Sequence, residues 1–192
     1  MRKVIVSMFV SLDGVMEDPG GAEKFEHGGW TIPYWDDQIG KFKLDELFAS
    51  DTLLLGRVTY QGFAAVWPSQ SDEAGFADRM NSLPKYVVST TLQGVDEWNN
   101  SRLIKGNVAE EVSRLKEQPG QDILIAGSGL LVNSLLQDDL VDEYRLLVYP
   151  VVLGSGKRLF KEGSNTSLRL VETKPFGSGV VLLTYQQERQ EK

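Results

Sequence analysis

The segment Thr52-Leu53-Leu54-Leu55-Gly56-Arg57-Val58-Thr59-Tyr60 constrains the fold more than any other stretch. An apolar run stops at a glycine, and a cation and a hydroxyl residue follow at once. This pattern predicts a buried strand ending at a helix start. Free backbone N–H groups and the positive end of the helix dipole favour an anion there. A second strand, residues 122–126, runs into Gly127-Ser128-Gly129 and an apolar helical stretch. Two such strand ends in one small domain predict a phosphate-bearing cofactor lying across the edge of a sheet.

A chain of 192 residues is most simply one domain, residues 1–192, with a core that needs no metal or disulfide. Its 27 acidic residues against 20 lysines and arginines leave a net charge of −7, with no basic run. Nucleic-acid binding rests on neutralising many phosphates and is not expected. One anionic ligand remains compatible, because a pocket needs only local positive potential. Cysteine is absent, which removes thiolate catalysis and zinc–thiolate sites. No apolar run reaches membrane-spanning length, and residues 3–10 read as a first strand rather than a signal-peptide core. A cytoplasmic protein without membrane contact is the expectation.

Along the chain, residues 3–10 are almost continuously apolar, as in a central strand covered on both faces. A long Gly/Pro/Asp-bearing stretch, 11–33, follows, and a loop of that length inside a compact domain is usually functional. Residues 36–50 read as a helix with Ile39, Phe42 and Leu47 inward, joined by Leu44 and Phe48 at its margins. After the strand at 52–55 comes a helix or turn through 59–66, then a polar stretch at 68–83 with one short helix. A third strand covers 85–89 and closes on Ser89-Thr90-Thr91. Asn107-Val108-Ala109-Glu110 resembles a capping box opening a helix that ends before Pro119-Gly120. The helix from Gly129 to Leu136 completes the alternation. Strands at 143–153, 167–172 and 180–186 end the chain, with Phe176-Gly177-Ser178-Gly179 as a hairpin connection. This order predicts an α/β fold: a mixed, mostly parallel sheet, helices on both faces and antiparallel C-terminal strands at one edge.

Single motifs are weak. Gly127-Ser128-Gly129 has valine at 132 where a dinucleotide fingerprint needs its third glycine, so alone it is equally a tight turn. Arg57 alone reads as a surface arginine and Thr59 as a helix cap. Their weight comes from occurring together. Gly154-Ser155-Gly156-Lys157-Arg158 lacks the first glycine of a phosphate loop and carries arginine where Ser or Thr would hold magnesium, which excludes an NTPase. His27, the only histidine, lies in a glycine-rich loop with no G-x-S-x-G serine to serve. No carboxylate cluster suggests a metal. Proton chemistry therefore falls to a carboxyl or a water. Asp13, Asp36 and Asp37 flank the long loop, and one of them, buried beside an apolar pocket, would have a raised pKa. Trp30, Tyr34 and Trp35 could stack on a flat heterocycle or pack the loop onto the core.

Read together, these residues resemble the dihydrofolate-reductase-like superfamily, in the bacterial branch related to the C-terminal reductase domain of riboflavin biosynthesis. Ser11-Leu12-Asp13-Gly14, Leu55-Gly56-Arg57-Val58-Thr59-Tyr60, Leu124-Ile125-Ala126-Gly127-Ser128-Gly129 and Tyr149-Pro150-Val151-Val152-Leu153-Gly154-Ser155-Gly156 carry the likeness across the whole chain. It implies a three-layer α/β/α fold and NADPH as cofactor. Gly56, Arg57, Val58 and Thr59 would hold cofactor phosphate, and Ser89, Thr90 and Thr91 would face the adenosine 2′-phosphate. Ala126, Gly127, Ser128, Gly129 and Leu130 would take the pyrophosphate, with a cis peptide at Gly127–Ser128. Val10, Gly14 and Val15 would line the nicotinamide, and the loop at 11–33 would close over it. Trp30, Tyr34, Lys157 and Arg158 are the substrate-side candidates, the last two for a ribose-phosphate tail. The activity implied is reduction of a pyrimidine- or pterin-like heterocycle, of the 5-amino-6-(5-phosphoribosylamino)uracil reductase type, by a homodimer. A non-catalytic ligand-binding homologue and a dihydrofolate reductase are the alternatives.

Overall fold

The computed structural model describes residues 1–188. Among the described residues eight strands form one sheet in the order β4-β3-β2-β5-β1-β6-β8-β7. Strands β1 (Val4–Ser11), β2 (Ser50–Gly56), β3 (Lys85–Val88), β4 (Ser101–Ile104), β5 (Asp122–Ile125) and β6 (Glu143–Tyr149) run parallel. Only β8 (Val181–Gln187) opposes its neighbours, β6 on one side and β7 (Leu168–Pro175) on the other.

Each parallel connection must cross the sheet, and the helices that do so cover both faces. Helices α1 (Asp37–Phe48), α2 (Arg57–Val66) and α3 (Phe76–Ser82) lie on one face; α4 (Val108–Glu117) and α5 (Gly129–Gln137) lie on the other. The continuous apolar run of β1 follows from this: Val4, Val6, Met8 and Val10 join the core under α4 and α5, while Ile5 packs with Leu47, Leu53, Leu55 and Tyr60. A third cluster, around Tyr149, Ile39, Phe176 and Leu182, closes the β6–β8 side. The three-layer α/β/α expectation holds.

Three details differ from the sequence reading. Strand β6 stops at Tyr149, because Pro150 brings no N–H to the ladder and Val151 N–H turns back to the Tyr149 carbonyl at 2.8 Å. Strand β4 was not anticipated; four residues between polar neighbours carry too little pattern, and the strand exists by pairing with β3. Phe48 is 48 % exposed rather than inward, lying against Arg79. Fully buried Lys85 is matched by the carbonyls of Asn81, Leu83 and Asn99 at 2.9, 2.8 and 3.2 Å, and burial pushes its ammonium down to about 8.

Candidate active site

The C-terminal ends of β2, β3, β4 and β5 lie side by side, because parallel pairing brings Gly56 beside Val88 and Val88 beside Ile104. The residues that follow these strands, Arg57, Ser89 and Lys105, therefore emerge along one margin. The β2 and β5 turns press directly on each other. A Cβ on Gly56 would collide with Ser128 Oγ, and one on Gly127 would lie 2.7 Å from Thr59 Oγ1. Glycine is required at both places for the turns to meet. The Gly127–Ser128 peptide is cis, as the resemblance implied.

Helix α2 starts at this junction without a side-chain cap and without an acidic residue in its first turn. Its first N–H groups and dipole are thus left for a ligand. Arg57 is exposed, accompanied only by Gln61 at 3.1 Å, and has no ion pair among the described residues. Val58 and Leu130, on the first turns of α2 and α5, are 46 % and 86 % exposed and flank the junction. Ser128 caps α5 through Leu131 N–H at 3.5 Å. Ser89 Oγ accepts from the N–H groups of Thr91 and Leu92 at 3.2 and 3.1 Å, which leaves Thr90 and Thr91 exposed. Ser89 N–H bonds the Ile104 carbonyl at 3.1 Å, so Lys105 stands next to this turn. Lys105 was missed because β4 was missed.

An anionic dinucleotide fits this set: an uncapped helix start, a guanidinium without a carboxylate, exposed hydroxyls and two turns that tolerate no side chain. Residues 56–59, 89–91 and 126–130 follow neighbouring strand ends along this one margin. Val10 and Val15 are buried at 5 % and 0 %, with Val10 in the α5-side core, so what they can offer a nicotinamide is backbone. Gly14, at φ +80°, donates to the Ser11 carbonyl at 2.9 Å and accepts from Leu159 N–H at 3.0 Å.

The carboxylates differ from expectation. Asp13 accepts from Ser11 Oγ at 2.6 Å, Gly154 N–H at 2.8 Å and Leu153 N–H at 3.2 Å. These bonds, Ser11 foremost, bring it down to about 2. Asp36 caps α1 at Ile39 N–H, 2.8 Å, and accepts from Ser178 N–H at 3.2 Å; its pKa is likewise lowered, chiefly by the Ile39 bond. Neither has the raised pKa expected of a proton donor, since a carboxyl held by N–H donors stays ionised. Asp37 is exposed in the first turn of α1.

The substrate-side aromatics and cations also divide. Trp30 is 6 % exposed, donates from Nε1 to the Glu17 carbonyl at 2.8 Å and meets Tyr149 edge-on at 5.4 Å. It packs the long loop onto the core and offers no free face. Tyr34 is half-buried against the same Tyr149 ring. Trp35 is 51 % exposed and edge-on to Phe9 at 6.2 Å. Lys157 is tied to Glu17, Nζ to Oε1 2.6 Å, which raises the lysine and lowers the glutamate. Arg158 donates to the Asp13 carbonyl at 3.1 Å. Both cations link the loop at 13–17 to the loop at 154–159, but Arg158 is exposed and has no ion pair among the described residues, so its terminal N–H groups remain available to an anion, whereas Lys157 already carries Glu17. His27 is exposed beside Phe25.

The RibD C-terminal domain family model matches residues 2–182. The chain belongs to this family. Membership places it among reductases and makes an oxidoreductase the coarse assignment. This family member is 36 % identical over 188 residues to the uncharacterized protein YyaP of Bacillus subtilis (strain 168), covering 96 % of this chain and 94 % of that one. A crystal structure from Shewanella sp. PV-4, provisionally named a riboflavin biosynthesis protein, superimposes with a TM-score of 0.73 at 25 % identity, over 97 % of this chain and 99 % of that one. Dihydrofolate reductase from Enterococcus faecalis, complexed with NADP(H), matches 97 % of both chains with a TM-score of 0.65. At 15 % identity that last likeness is one of fold. Among the described residues no helix is long and apolar enough to cross a membrane.

Proposed function

We propose that the protein is an NADPH-dependent reductase of a pyrimidine- or pterin-like heterocycle, of the 5-amino-6-(5-phosphoribosylamino)uracil reductase type. The observation that carries this reading is the mutual fit of the Gly56–Arg57 and Gly127–Ser128 turns beside an uncapped helix start. Thr59, Ser128 and the first N–H groups of α2 would hold the cofactor pyrophosphate, with Arg57, Thr90, Thr91 and Lys105 on the 2′-phosphate side. When bound, the cofactor supplies the hydride. The chain's part is to orient the acceptor beside β1 and to keep water out with the loop pinned by Glu17 and Lys157. Asp13 and Asp36 are held ionised by their hydrogen-bond donors, which leaves Asp37 or a water as the proton source in this reading.

Titrating the protein with NADPH while following cofactor fluorescence tests the reading. Binding well below millimolar, stronger than about −4 kcal/mol, is expected, together with weaker binding of NADH. The same lowered carboxylates favour a second reading, a ligand-binding homologue without turnover. Tight NADPH binding with no oxidation in the presence of pyrimidine or pterin acceptors would select it. Folate reduction is separated by dihydrofolate turnover and a methotrexate-type inhibitor.

The functional unit in this proposal is a cytoplasmic homodimer. The outer strand β7, with Leu170 and Val171 48 % and 46 % exposed, is the edge on which a second copy would add. Light scattering reads the mass directly.

A further inference from the structure

We propose that the groove between strand β4 and helix α4 is a second anion site, suited to a phosphate monoester with a small apolar body, and that it shares Lys105 with the cofactor groove. The site itself stands on the geometry of β4 and α4. The sharing rests on the proposed reductase reading, which puts Lys105 at the 2′-phosphate.

The groove follows from the order of the sheet. Strand β4 is outermost and pairs only with β3 among the described residues. The chain that leaves it must reach β5, three places inward, and a crossover helix lies over the strands it crosses. Helix α4 accordingly sinks Val112 and Leu115 into the core with Ile104, and turns its other flank, with exposed Arg114, toward the sheet edge. The outer strip of β4 and that flank enclose a cavity of about 390 Å³, whose lining includes Tyr86, Arg102, Ile104, Lys105, Arg114 and Leu115. Small-ligand sites run from roughly 300 to 1,000 Å³, so the space is sufficient.

The cations on its wall are not equivalent. Arg114 is paired with Glu110 and Glu111 at 3.0 and 2.8 Å. Arg102 and Lys105 are exposed and have no ion pair among the described residues. Arg102 is held by an aromatic ring instead: its guanidinium lies 5.8 Å from the Tyr86 centroid, and NH1 donates to the Tyr86 hydroxyl at 3.3 Å. A ring fixes a guanidinium without cancelling its charge, and the remaining donors of the fork stay free. Charge on an outermost strand also keeps other strands from adding to it. That task needs no fixed position, and Arg102 has one. In a chain of net charge −7, two uncompensated cations beside one cavity create a local positive potential.

Charge and lining together define the ligand. A phosphate monoester carries about −1.5 to −2 at neutral pH, enough for both cations, whereas a carboxylate neutralises only one. A bare phosphate would leave the apolar lining of Ile104 and Leu115 in water, and a small apolar body would cover it. Lys105 connects this site to the cofactor groove. It lines the cavity, and it also follows β4 directly beside the Ser89 turn, where Ser89 N–H meets the Ile104 carbonyl at 3.1 Å. One ammonium cannot serve two dianions fully. An occupied groove therefore lowers the affinity for a 2′-phosphate, and a bound 2′-phosphate lowers that of the groove by the same factor.

The test is calorimetric titration with phenyl phosphate at neutral pH and low salt, with inorganic phosphate and benzyl alcohol as the head and the body alone. Saturable binding to the whole chain is expected, at least about fivefold tighter than inorganic phosphate, and benzyl alcohol should give no saturable heat. Arg102→Ala should weaken phenyl phosphate at least about tenfold, and Arg102→Lys should retain part of the affinity. Both variants should bind NADH within about threefold of the wild type, since Arg102 lies outside the cofactor groove. Saturating phenyl phosphate should raise the NADPH dissociation constant roughly threefold to tenfold and leave NADH unchanged. Phenyl phosphate displaced by NADH, bound no tighter than inorganic phosphate, or bound undiminished by Arg102→Ala overturns the site. NADPH affinity untouched by saturating phenyl phosphate overturns the sharing of Lys105. A protein that binds no NADPH at all refutes the reductase reading and the sharing with it, while the phenyl phosphate titrations still decide the groove.

Discussion

Gly127 faces Thr59 across the junction of two strand ends, so that a Cβ at position 127 would stand 2.7 Å from the threonine hydroxyl. The contact joins the β5 turn to the first turn of α2 and makes one surface from two motifs 68 residues apart, 127 less 59. Gly127 also sits at φ +126°, a conformation that side-chain-bearing residues rarely adopt. Gly127→Ala should therefore weaken NADPH at least about tenfold, near 1.4 kcal/mol, by cofactor-fluorescence titration. An unchanged affinity would place the phosphates elsewhere.

Arg57 carries its charge into solvent with only Gln61 for company. Arg57→Ala should raise the NADPH dissociation constant roughly tenfold to a hundredfold, the range of a charge-assisted hydrogen bond, with little change for NADH. Equal losses for both nucleotides would contradict a role at the 2′-phosphate.

Asn133 ties α5 to the segment that follows β6. Its Nδ2 donates to the carbonyls of Gly129 and Leu159, both at 2.7 Å, and its Oδ1 accepts from Lys161 N–H at 3.1 Å and Ser164 Oγ at 3.2 Å. Leucine fills similar volume and makes none of these bonds. Asn133→Leu should cost about 2–4 kcal/mol in urea unfolding, since buried groups are left unpaired. A cost below about 1 kcal/mol would mean that water replaces the amide.

The loop contacts depend on pH in a defined direction. Asp13 is lowered from 3.8 to about 2, so its contribution is present above 3.8 and disappears as the pH falls through about 2. Glu17, also lowered, acts in the same sense, whereas raised Lys157 contributes below its usual 10.5 and ceases to as the pH rises past its own value. The pinned loop is therefore expected across the neutral range and released in strong acid. Carbon-detected titration of the Asp13 carboxyl checks this. A midpoint near 3.8, its ordinary value, would show that the Ser11, Leu153 and Gly154 bonds are not made in solution.

Much of the fold was legible because its signals are local. Apolar runs mark β1, β2 and β5, and Asn107 opening α4 is a cap formed within three residues, with Glu110 N–H on its Oδ1 at 3.2 Å. Strand β4 was not legible, since four residues at an edge gain their structure from β3 rather than from their own pattern. The charged pair on the inward stripe of α1 was visible as Lys43 and Glu46 three apart, between Ile39 and Leu47, but spacing alone does not tell a buried pair from a solvated one.

By itself the chain determined the alternation of strands and helices and the glycine-bearing strand ends that suit an anion, because periodicity, capping and the dipole of a helix start act over a few neighbouring residues. The tertiary structure completed what the ionisable groups do, adding distant partners to local ones such as Ser11 on Asp13 and Ile39 on Asp36. Asp13 is held by Ser11 two positions back and, across the fold, by partners 140 and 141 positions away, and Glu46 by Ser7, 39 positions back. A side chain's charge state and reach follow from what is packed against it, and that is set by which distant segments the sheet brings together.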